Sequence, residues 1–135
     1  LAISRLFDEA HPAAVGHFDA LIAVPSSPAH LRQRGFNPAL ELAKPYARRL
    51  GLPLLLDACQ RPHDAPAQAS LPWKERQANI RNAFECRIDL SGKSVAVVDD
   101  VMTTGATLNE FARVLKRHGA ARVENWVAAR TLPSE

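Results

Sequence analysis

The chain has 135 residues, of which 47% are hydrophobic and 23% charged, and a formal net charge of +3. That is enough for one domain with a substantial core, too apolar for a disordered segment, and free of any apolar run long enough to span a bilayer. The basic balance, with a pI near 9.2, suits polyanionic partners from nucleic acid to a pyrophosphate-bearing metabolite; the basic residues are dispersed rather than stacked with aromatics, so direct nucleic-acid binding is permitted but not indicated.

The sequence opens on Leu1 rather than Met, as a trimmed piece of a longer chain would, and no basic-then-apolar leader follows. Residues 1–17 read as a short N-terminal helix or linker remnant with Ile3, Leu6 and Phe7 on one side, ending before Pro12. Asp19 to Val24 reads as a first buried strand, cut by Pro25, and Pro25 to Gly35 as a polar, basic loop. Asn37 followed by Pro38 is a helix start. That helix should run to about Leu50 with Leu40, Ala43, Ala47 and Leu50 toward the core, and Gly51 should close it. Pro45 removes an internal hydrogen bond, so a kink or a restart at Lys44 is expected.

Leu52 to Leu56 reads as a short second strand, residues 60–73 as a proline-rich loop long enough to suggest function, and Lys74 to Ala83 as a helix. Glu85 to Ile88 reads as a short edge strand, Ser91-Gly92-Lys93 as a turn and Val95 to Val98 as a buried strand. Ala106 to His118 is a helix with Leu108, Phe111, Ala112 and Leu115 on one face, its His118 placed to interact with the C-terminal dipole. Val123 to Arg130 is a last strand. Strands alternating with helices imply a mostly parallel sheet. Cys59 and Cys86 lack metal-site spacing and read as buried or incidental thiols of a reducing, cytoplasmic compartment. No protein metal site is expected.

Three ordered motifs carry chemistry. At the end of the Val95–Val98 strand stand Asp99 and Asp100, followed by Thr103-Thr104-Gly105-Ala106-Thr107 at the start of a helix. Ligands bind at the carboxyl ends of strands in open α/β sheets, and helix N-termini attract anions. Amide and hydroxyl donors for a phosphate thus lie beside two acids suited to sugar hydroxyls. An Asp- and Thr-rich turn is often only a helix cap, but two adjacent like charges cost energy unless a ligand or cation offsets them. A receiver domain carries its paired acids near its start, whereas these lie three-quarters of the way along, and no Walker A string occurs. The second motif, Val24-Pro25-Ser26-Ser27 with Arg32 and Arg34, puts guanidinium forks suited to a diphosphate after the first strand; its bland reading is a solvated basic turn. The third is Gln68-x-x-Leu71-x-x-x-x-Arg76-x-x-Asn79-x-x-x-Ala83-Phe84.

The acidic run resembles the phosphoribosyl-pyrophosphate (PRPP) signature of type I phosphoribosyltransferases. The string Arg32-x-Arg34-Gly35-Phe36-Asn37, the third motif and the signature together resemble the competence-associated ComF family over Asp19 to Thr131. The resemblance implies a three-layer α/β/α fold with a central, mostly parallel sheet in a phosphoribosyltransferase domain over 18–135. It implies a pyrophosphate loop at Val24–Ser27, often with a cis peptide, and a flap carrying Arg76 and Asn79. By the same resemblance, Asp99 and Asp100 are the catalytic acids. Thr103, Thr104, Gly105, Ala106 and Thr107 hold the 5-phosphate, and Pro25, Ser26, Ser27, Arg32, Arg34 and Arg76 the pyrophosphate. Mg2+ is carried by PRPP rather than by a protein cage. Members often have Gln where Pro38 stands and bulkier or basic residues at Ser26 and Ser27, and commonly a Cys-rich zinc-binding segment upstream. The activity implied is ribosyl-5-phosphate transfer to a nitrogen acceptor. The rival is a non-catalytic, PRPP- or partner-binding component of DNA uptake. No residue selects purine, pyrimidine or ammonia as acceptor; the hood that reads it is expected in 1–17, in 60–73 or upstream.

Overall fold

Residues 3–6, 17–62, 83–102 and 105–130 are described by a computed structural model. The elements in chain order are β1 (Ile3–Leu6), β2 (Ala20–Ala23), α1 (Pro28–Arg34), α2 (Pro38–Leu50), β3 (Cys59–Gln60), β4 (Glu85–Cys86), β5 (Ser94–Met102), α3 (Ala106–Arg117) and β6 (Arg122–Arg130). Among the described residues four strands form an all-parallel sheet in the order β1-β6-β5-β2, while β3 and β4 pair antiparallel as a separate ribbon.

The apolar run of β5 is buried on both faces because helices cover both. Val95 and Val97 point into a core with Ile22, Leu108, Phe111, Leu115 and Val127, under α3. Ala96 and Val98 alternate to the other face and meet Leu21, Ala43, Ala47 and Trp126, under α2. Small Ala side chains on α2 let it lie close to the sheet. Phe18 meets Trp126 edge-on at 5.6 Å, which seals that layer. This is the expected three-layer α/β/α arrangement.

Several elements differ from the sequence reading. Ile3–Leu6 is a strand, not part of a helix, because it finds a parallel partner in β6, from Ile3 opposite Glu124 to Leu6 opposite Val127; the rest of the 1–16 stretch lies outside the described residues. The basic loop contains the helix α1, capped by the Ser27 hydroxyl, started by Pro28 and stopped by Gly35 at φ 77°. Helix α2 runs unbroken through Pro45. Pro45 and Glu41, whose carbonyl loses its helical partner, are both on the exposed side, where the carbonyl is open to solvent. Leu52–Leu56 makes a single parallel bridge, Leu54 to Leu21, rather than a full strand. Cys59 and Cys86 are not separate thiols: they face each other across the ribbon and are joined by a disulfide. The expected helix over 74–83 falls outside the described residues except at Ala83.

Candidate active site

Strand β5 extends past its apolar run, so Asp99 and Asp100 stand on the ladder itself, near its carboxyl end. Neither is a helix cap. The N-cap of α3 is Gly105 at φ 83°, which has no side chain to offer the first-turn N–H groups. Those amides add partial positive charge near the two acids. The backbone N–H of Asp100 donates to Asp99 Oδ1 at 2.9 Å, fixing the Asp99 carboxyl. Burial pushes that carboxyl up to about 7, and the Asp100 carboxyl adds to the push. The Asp100 N–H and the charge of Arg61 pull the other way. Near neutral pH the Asp99 carboxyl is thus only partly ionised.

The neighbouring strand supplies the basic wall. The β2–β5 ladder continues beyond Ala23, with Val24 N–H donating to Val98 O at 2.9 Å, so the turn after β2 opens beside the acids. Asn37 bridges the far end of that turn: its Nδ2 donates to Val24 O at 3.0 Å and its Oδ1 caps α2 through Ala39 N–H at 3.0 Å. Helix α1 between them presents Arg34, whose Nη1 lies 3.8 Å from Asp100 Oδ2. Arg34 is exposed and Asp100 half-buried, and at this separation the pair adds little stability. Its meaning is geometric: a guanidinium and a carboxylate face each other across a gap.

That gap is a cavity of about 450 Å³, within the range of small-molecule sites. Of the residues expected to bind ligand, Pro25, Ser26, Arg34, Asp99, Asp100, Gly105, Ala106 and Thr107 line it. Ser27 does not; it is buried as the cap of α1, its Oγ accepting from His30 N–H. Arg32 lies on the exposed surface of α1, outside the lining. Thr103, Thr104, Arg76 and Asn79 lie outside the described residues. The turn Val24–Ser27 holds no cis peptide bond, in contrast to the form expected there. His30, Asn37, Arg61 and Val101 also line the cavity. In the sequence Asn37 reads as a helix cap and as the end of the Arg32–Asn37 string, while Arg61 carries no mark beyond its place in the proline-rich stretch. Among the described residues no His/Cys/Asp/Glu cluster of metal-binding size occurs, and no helix is long and apolar enough to cross a membrane.

Comparison with known proteins places the chain in a family. A family model for the phosphoribosyl transferase domain matches residues 37–132. The DNA utilization protein YhgH of Shigella flexneri is 37% identical over 114 residues, covering 84% of this chain and 50% of that protein. Competence protein F of Haemophilus influenzae is 37% identical over 117 residues, with 83% and 50% covered. A ribose-phosphate pyrophosphokinase of Sulfurisphaera tokodaii is 33% identical over 100 residues, with 64% and 34% covered. The chain spans about half the length of the first two. No solved structure matches it. The chain belongs to the phosphoribosyl transferase domain family, as a relative of competence protein F and the YhgH proteins.

Proposed function

We propose that the cavity binds PRPP and that the protein transfers its ribosyl-5-phosphate to a nitrogen acceptor, releasing pyrophosphate. One observation carries this reading: Asp99 and Asp100, the α3 N-terminus and Arg34 all face a single cavity at the carboxyl ends of two adjacent parallel strands. An anion at one end, a polyhydroxylated ring in the middle and a second anion at the other end match that sequence of charges.

In the reaction the C1–O bond to pyrophosphate breaks, its electron pair leaving with the pyrophosphate, while an acceptor nitrogen forms the new bond to C1 and passes its proton to solvent. The sugar becomes oxocarbenium-like, so the site works by placing charge. Asp99 and Asp100 accept hydrogen bonds from the 2- and 3-hydroxyls and favour positive charge on the ring. Gly105, Ala106 and Thr107 hold the 5-phosphate through N–H groups and hydroxyl. Arg34, with Pro25 and Ser26 shaping the turn, faces the departing pyrophosphate. Two neighbouring carboxylates are hard oxygen donors and fit Mg2+ brought in by the ligand, which would neutralise the diphosphate. The test is pyrophosphate release from PRPP and Mg2+ across a panel of nucleobases and ammonia. Release with one acceptor class supports transfer, and none with any acceptor removes it.

A second reading follows from the printed names of the relatives, DNA utilization and competence. In it the protein binds PRPP without turnover and acts through partners in DNA uptake or processing. PRPP binding without pyrophosphate release selects it, and a gel shift run beside the assay separates it from direct DNA binding.

A further inference from the structure

The ribbon of β3 and β4 is built from two residues per strand, too little to hold itself by pairing alone. What clamps it is the Cys59–Cys86 disulfide, between residues directly opposite in the register. Continuing that register by one pair past Gln60 and Glu85 sets Arg61 opposite Phe84, on the same face as the cystine. The contact is observed: the Arg61 guanidinium lies 5.4 Å from the centre of the Phe84 ring. Phe84 is buried and packs against the Phe111 ring of α3 in a tilted pair, centroids 4.8 Å apart, so the ribbon face bearing Arg61 is anchored to the core. Arg61 then reaches the cavity that holds Asp99 and Asp100, and its charge acts on Asp99. Arg61 also borders a second, more apolar cavity of about 550 Å³, lined by Pro25, Leu31, Leu55 and Leu56.

We propose that the Cys59–Cys86 disulfide is a redox-sensitive positioning device that fixes Arg61 at the mouth of the ligand cavity, so that affinity for PRPP falls when the disulfide is reduced. The inference rests on the phosphoribosyl reading above. A dithiol reductant supplies two electrons and two protons: the Sγ–Sγ bond breaks, two cysteine thiols form, and the reductant closes to its own disulfide. Among the described residues, Arg61 then keeps the aromatic contact and the short ladder without the covalent clamp, and it spends less time facing the anion.

The experiment is calorimetric binding of Mg2+-PRPP to the full chain in three states: oxidised, with no free thiol by mass spectrometry; reduced with dithiothreitol; and oxidised Arg61→Gln. Circular dichroism checks each fold. The oxidised wild type should bind, with reduction and Arg61→Gln each weakening binding about tenfold, the scale of one charge-assisted hydrogen bond. Reducing Arg61→Gln should add no further loss, since both changes remove the same contact. The Cys59→Ser, Cys86→Ser double variant should match the reduced wild type and ignore reductant. Equal affinity of oxidised and reduced protein overturns the inference, as does failure of the two thiols to pair under glutathione disulfide. Absence of PRPP binding by the oxidised wild type instead sinks the phosphoribosyl reading, and this inference with it.

Discussion

On one side of the cavity, Asp99, Asp100 and Thr107 ride on a nine-residue strand and a twelve-residue helix whose inner faces are the core. On the other, Arg34 sits on a seven-residue helix with no buried residue, and Arg61 follows a two-residue strand. The acidic wall is therefore placed by packing, through Leu108, Phe111 and Leu115 beneath it. The basic wall is placed by individual links: the Ser27 cap, the Asn37 bridge to Val24, the Phe84 contact and the disulfide. The geometry of the two acids is therefore as stable as the domain, while the arginines depend on a handful of local bonds that can be altered singly.

The largest effect should come from the packed wall. Phe111→Ala removes a fully buried ring from under α3 and should cost about 3–5 kcal/mol in urea unfolding, whereas Leu31→Ala on exposed α1 should stay within about 0.5 kcal/mol. Similar losses at both sites would break the contrast.

Asp99 comes next. Its carboxyl titrates at about 7 in the folded protein against 3.8 for the ordinary group, so between those values the native state keeps a proton the unfolded chain has lost. Stability must then fall as pH rises through that window, by at most about 4 kcal/mol at about 1.4 kcal/mol per unit. Asp99→Asn cannot titrate, so its melting temperature should decline less than wild type between pH 5 and pH 8. Parallel profiles for the two proteins would remove the buried-proton account.

Much of the packed wall could be read from residues alone. The run Val95–Val98 announces a doubly covered strand, and Leu108, Phe111, Ala112 and Leu115 repeat at helical spacing because one face meets the sheet. Asn37-Pro38 and Gly51 bound α2 through local cap chemistry, which needs no tertiary knowledge. The other wall was less legible for a physical reason. Helix α1 buries no residue, so it has no apolar period, and only Ser27-Pro28 and Gly35 mark its ends. Strand β1 depends on a partner at the far end of the chain, and the disulfide joins residues that sequence spacing does not relate. Arg61 becomes a cavity residue only once the ribbon register is known.

The smallest expected effect tests a single link in the basic wall. Asn37→Ala deletes both the cap of α2 and the tie to Val24 O, and should cost about 1–2 kcal/mol in denaturant unfolding. A neutral result would mean the turn after β2 is held by something other than this bridge.

The most direct measurement is titration calorimetry of Mg2+-PRPP into wild type and Asp100→Ala, with circular dichroism on both. Saturable binding to the wild type is expected, and none to an Asp100→Ala chain that keeps the same spectrum. Undiminished binding by the variant would contradict the placement of the ribose on the β5 acids.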